Sequence, residues 1–129
     1  MPRPESDTLT QREAQIMAVL WEQGPATAER IRAALPMELH DSTVRTLLRV
    51  LEGKGYVKHT AKGKAFIYRP AIKRANAERR AVRSVLKRFF GGSAEALVLR
   101  LIEDEALTPQ QLEQLKSINN QNRENATNE

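Results

Sequence analysis

The chain has 129 residues, a formal charge of +5, two histidines and no cysteine, so it is one modest domain or two small ones, and a disulfide framework, a thiolate zinc site and a cysteine nucleophile are excluded. His40 and His59 are too few for a metal site, and no cofactor is expected. The opening MPRPESDTLT lacks the apolar core of a signal peptide, and nowhere do about 18 apolar residues run together, which predicts a soluble, cytoplasmic protein.

The charge is unevenly placed. From Ser42 to Arg69 seven bases face one acid, from Ala71 to Phe90 seven bases again face one, and from Gly91 onward three bases face seven acids. A basic middle and an acidic end point to two jobs.

In chain order, Thr10-Gln-Arg-Glu13 has the form of a capping box, with Ile16, Val19 and Leu20 following at helical spacing and Trp21 closing the segment as a core residue. Gly24-Pro25 ends this first helix. Thr27 caps a second, short helix with Ala28, Ile31 and Leu35 on one stripe, stopped by Pro36. Asp41 or Ser42 caps the third, in which Val44, Leu47, Leu48 and Leu51 share a buried face. At about 100° per residue, Ser42, Arg45, Thr46, Arg49 and Gly53 then point to the opposite side.

After Gly55, the segments Tyr56 to Thr60 and Ala65 to Arg69 alternate and are rich in β-branched and aromatic residues, with Ala-Lys-Gly-Lys as a basic turn between them. Three short helices and a hairpin make the order of a winged helix-turn-helix with the third helix as reading element. From about Lys73 a further helix places Val82, Val85, Leu86 and Phe89 on one stripe and stops at Gly91-Gly92. Ser93 caps a helix with Leu97, Val98, Leu101 and Ile102; Thr108-Pro109-Gln-Gln111 opens another with Leu112, Leu115 and Ile118. The polar end, residues 121–129, is expected to be disordered. The expected fold is therefore mainly α with a small β-hairpin wing: a winged-helix DNA-binding domain over residues 1–71 and a helical dimerisation domain over residues 72–120. Leu97, Val98, Leu101, Ile102, Leu112, Leu115 and Ile118 are assigned to the homodimer core, against the alternative of an intramolecular core.

The stretches LTQREAQIMAVLWEQGPATAERI, STVRTLLRVLEGKGYVKH, GKAFIYRP and FFGGSAEALVLRLIEDEALTPQQLEQL, in that order, resemble the BlaI/MecI/CopY family of winged-helix repressors, also called the penicillinase-repressor family. The resemblance covers about Leu9 to Ile118. It implies a homodimer bound to a palindromic double-stranded DNA operator and blocking transcription, with a membrane sensor protease as a further partner. By position, Ser42, Thr43 and Thr46 match the groove-contacting part of the family's recognition helix, and Lys62 and Lys64 match its wing. Arg45 and Arg49 are added from the helical-face argument. Two departures stand out. The cysteine-rich motif of the copper-responsive branch has no counterpart here, and the Asn-Phe bond cut by the sensor protease of the β-lactam-responsive branch is replaced by Arg100-Leu101.

In the major groove, Arg45 and Arg49 can grip phosphates or donate bidentately to guanine, and Thr43 and Thr46 can touch thymine methyls or phosphates. Lys62 and Lys64 can reach phosphate or the minor groove. The main rival is a winged-helix module that docks on an acidic protein. A second rival, an enzyme such as a small nuclease, is opposed by the lack in this chain of clustered carboxylates at a spacing that would hold catalytic metals.

Overall fold

The computed structural model describes residues 8–127; the expectation of no export signal falls largely on residues 1–7 and so lies outside them. The elements are α1 (Gln11–Gln23), α2 (Ala28–Ala34), α3 (Asp41–Gly53), β1 (Val57–Lys62), β2 (Ala65–Pro70), α4 (Arg74–Phe89), α5 (Ala94–Glu103) and α6 (Pro109–Thr127).

The reciprocal cap of α1 forms as its sequence predicts. Thr10 Oγ1 accepts from the Glu13 N–H at 3.2 Å, and Glu13 Oε1 accepts from the Thr10 N–H at 2.9 Å. Gly24 ends the helix at φ 85. Ala26 then exchanges hydrogen bonds of 3.0 and 2.8 Å with Tyr68, which ties the α1–α2 connection to the free side of β2. Thr27 caps α2 by accepting from the Arg30 N–H.

The cap of α3 is His40, one residue ahead of Asp41 and two ahead of Ser42, the two caps expected. Its Nδ1 accepts from the Ser42 N–H at 3.2 Å, doing what a side-chain oxygen does at most helix starts. The hairpin pairs from Val57↔Pro70 to Lys62↔Ala65, leaving Gly63 and Lys64 as its turn. The loop is thus two residues tighter than predicted, because Gly63 takes φ 63 and permits the glycine-first turn that matches strand twist.

The helices α1, α2 and α3 and the base of the hairpin close over Ile16, Leu20, Ile31, Leu48, Leu51 and Tyr56, each at 0–1% exposure. Burying each such aliphatic side chain contributes about 1.5–3 kcal/mol. One charge is enclosed with them. Glu13, 2% exposed, accepts from Lys54 Nζ at 2.8 Å, and that lysine also donates to the Thr8 carbonyl. Burial pushes the Glu13 carboxyl up, but the hydrogen bonds from Lys54 and Thr10 outweigh it and leave the pKa below its ordinary value of 4.5. Lys54 therefore drops out of the outward-facing basic surface. Trp21 packs against the core as expected, with its indole N–H donating to the Ile72 carbonyl at 3.0 Å.

Two compact units divide between Ser84 and Val85, inside α4, rather than at 71/72. The reason is packing: Ala77 is buried in the first core and Ile72 lies against it, so the first turns of α4 complete the winged helix. In the second unit Ser93 caps α5 through the Ala96 N–H, and Thr108 and Gln111 cap α6 reciprocally at 2.8 and 3.1 Å. Over the expected polar tail α6 runs on to Thr127, where Gln, Arg, Glu and Ala are good helix formers; the rest of that tail, residues 128–129, lies outside the described residues.

Candidate nucleic-acid interface

The packing of Val44, Leu48 and Leu51 into the core fixes the rotation of α3 and thereby turns Ser42, Thr43, Arg45, Thr46 and Arg49 to the surface, all exposed. Two of these side chains are positioned by their own helix. Arg45 Nε donates to Asp41 Oδ2 at 2.8 Å, one turn back, which leaves both terminal nitrogens of its fork free. The Asp41 carboxylate also holds the Arg45 guanidinium above its usual pKa. Thr46 Oγ1 donates to the Ser42 carbonyl at 2.9 Å, so its hydroxyl proton is already used within the helix. Ser42 Oγ lies 2.9 Å from His40 Nδ1, so this hydroxyl is engaged as well.

The wing stands beside this row. Val57, His59, Ala61, Phe66, Tyr68 and Pro70 share one face of the hairpin by register and alternation, and Lys62 falls on the other. A cleft of about 280 Å³ opens between α2, α3 and β2, lined by Arg45 and Lys64 together with Glu29, Phe66 and Tyr68. The structure therefore brings Arg45 and Lys64 to one cleft, while Lys62 is exposed outside it. Burial pushes the Tyr68 phenol up, Glu52 adds to this, and Arg45 and Arg49 partly offset it.

Three contributors escape the helical-face argument. Asp41 orients Arg45. Phe66 is 47% exposed at the cleft and stacks on His59, ring centroids 4.4 Å apart. Glu52 accepts from or pairs with His59 Nδ1 at 2.7 Å, linking the last turn of α3 to β1. The signal for the stacked pair was present as an aromatic and a histidine on one face of the predicted strands, but only the register shows that Phe66 and His59 meet, and the contact of Glu52 follows from the packing of α3 beside β1.

In the second unit Leu97, Val98, Leu101, Ile102 and Leu112 are half-buried, and Leu115 and Ile118 are 51% and 53% exposed. Arg100 pairs with Glu103 at 3.0 Å, so the Arg100-Leu101 bond lies within a formed helix. Among the described residues no helix is long and apolar enough to cross a membrane.

A helix-turn-helix with a polar, cationic row beside a basic hairpin defines a winged-helix nucleic-acid reader. A family model described as penicillinase repressor matches residues 9–121, and the chain belongs to that family. It is 25% identical to the penicillinase repressor of Staphylococcus aureus over 114 residues, 87% of this chain and 90% of the relative. Against the penicillinase repressor of Bacillus licheniformis it is 26% identical over 112 residues, 85% and 88% of the two chains. A solved transcriptional regulator of Thermotoga maritima is similar at a TM-score of 0.45 and 20% identity, covering 93% of this chain and 78% of that one. By family, the chain is a DNA-binding transcriptional repressor and not an enzyme.

Proposed function

We propose that the protein represses transcription as a cytoplasmic homodimer on a palindromic operator, each copy laying α3 in a major groove and setting its wing on the adjacent backbone. The observation that carries this reading is the exposed row Ser42, Thr43, Arg45, Thr46 and Arg49 beside a cleft that Arg45 shares with Lys64. Arg45, with Asp41 on Nε, presents the two terminal nitrogens that match guanine O6 and N7, and Arg49 stands one turn along. Lys62 and Lys64 supply phosphate contacts. Supporting the dimer, α5 and α6 carry apolar stripes and no buried residue among those described, so a second copy has apolar surface to cover. Two half-sites joined through one dimer act by effective concentration.

Release from the operator acts through that pairing. Cutting at Arg100-Leu101 by a membrane sensor protease would first require α5 to unwind locally, since the bond sits within the helix. Footprinting of the purified protein on its own upstream DNA, with competitor DNA and a salt series, tests the function. Two protected half-sites about one helical turn or a multiple apart agree with it. Uniform, salt-sensitive coverage with no protected site contradicts it.

A further inference from the structure

The first unit carries a second basic cleft, of about 800 Å³, where the end of α3 and the start of α4 meet. Gly55 and Ala71 line one part of it, and Lys73, Arg79, Arg80 and Arg83 supply its charge. It shares no lining residue with the cleft beside the wing. The numbering follows the helical period, with Lys73, Arg80 and Arg83 on a stripe flanking the buried Ala77.

Two of these cations are held in place by neutral partners. The Arg80 guanidinium lies 5.5 Å from the centroid of the Tyr56 ring, and Arg79 Nη1 donates to Asn76 Oδ1 at 2.7 Å. Among the described residues no acid lines the cleft; the nearest acid on α4, Glu78, pairs with Arg74 at 3.7 Å. Among the described residues no ion pair engages Lys73, Arg79, Arg80 or Arg83. Four cations gathered without a counter-charge raise the local potential and attract a multiply charged anion. Guanidinium forks suit phosphate oxygens in particular, because they donate in parallel pairs.

We infer that this cleft is a second phosphate-binding site, separate from the recognition helix and wing, that takes two or more adjoining phosphate groups. The phosphates come either from the backbone of bound DNA or from a free polyphosphate. The first source rests on the operator reading above; the second does not, so the two can fail separately.

The test uses the full chain with Arg79→Gln and Arg83→Gln combined, both exposed, and sparing Arg80 because it packs on Tyr56. The control combines Lys116→Gln and Arg123→Gln on α6, which removes the same charge elsewhere. Thermal melting confirms that both variants fold. Calorimetry with inorganic triphosphate and no DNA reads the free source. The salt dependence of binding to a non-specific duplex reads the DNA source.

Saturable triphosphate uptake by wild type and control, lost in the arginine variant, assigns a free polyphosphate. A slope of log affinity against log salt that falls by about 0.9 per lost phosphate in the arginine variant, and by less in the control, assigns the DNA backbone. An arginine variant that matches the control in both measurements overturns the site.

Discussion

In the first unit Ile16, Ile31 and Leu48 are sealed from water, whereas in the second Leu99, Leu115 and Ile118 are more than half exposed, although both are built from amphipathic helices. The difference lies in how many faces converge. Three crossing helices and a hairpin base enclose the first core, and a partly buried Glu13–Lys54 pair joins the start of α1 to the end of α3. In the second unit α5 and α6 each have one apolar stripe and good caps, yet the described residues there include none that is buried. An amphipathic pattern announces that a face will be covered, and the count of converging elements decides whether one chain suffices.

That comparison can be broken most forcefully at Leu115. Because it is already 51% exposed, Leu115→Asp leaves the isolated chain folded but removes apolar contact from a paired one. It is expected to lower operator affinity by about 100-fold or more, the loss of linked half-sites, with a shift from dimer to monomer in sedimentation. In the first unit, by contrast, Leu48→Ala cuts a fully buried side chain. Urea unfolding should show a loss of about 2–5 kcal/mol that does not depend on protein concentration.

Arg49→Ala tests the reading face, with an expected loss of about 1–3 kcal/mol for the preferred site over other sequences in competition assays. Lys62→Ala should instead weaken all DNA about equally and reduce the salt slope by about 0.9 per phosphate. The acid response of the first unit is gentler. Glu13 has a folded pKa below 4.5, so its contribution is fully present above that value and is lost as pH falls through the folded value. Stability measured from pH 6 down to pH 3 should decline less in Glu13→Gln than in wild type.

The smallest effect belongs to the turn after α5. Glu105 sits at φ 60, with its N–H donating to the Ile102 carbonyl and that of Ala106 to the Leu101 carbonyl. This is a helix stop that glycine fits at lower cost. Glu105→Gly should stabilise the chain by about 0.5–1 kcal/mol in thermal unfolding, since the left-handed strain on Glu exceeds the entropy lost with Gly.

Much of the fold was legible because local chemistry and burial agree. The boxes at Thr10 and Thr108 formed as spelled, and the stripe of Val44, Leu48 and Leu51 placed the arginine row outward without further help. His40 was missed as a cap because imidazole seldom takes that place, and the tight turn was missed because strand length depends on pairing. The Ser84/Val85 division was not legible either: nothing local marks it, and only the packing of Ala77 draws α4 into the first unit. At the site, periodicity found the row on α3 but could not find Phe66 or Glu52, whose parts follow from hairpin register and a contact across elements.

Completion of the second unit by another copy is the central proposal for this protein. Sedimentation velocity of the full chain, diluted through the range in which it binds DNA, addresses this directly. A single species of twice the 14.6 kDa chain mass, converted to monomer by Leu115→Asp, is the predicted result. A monomer throughout that range, still protecting its DNA site, would contradict it.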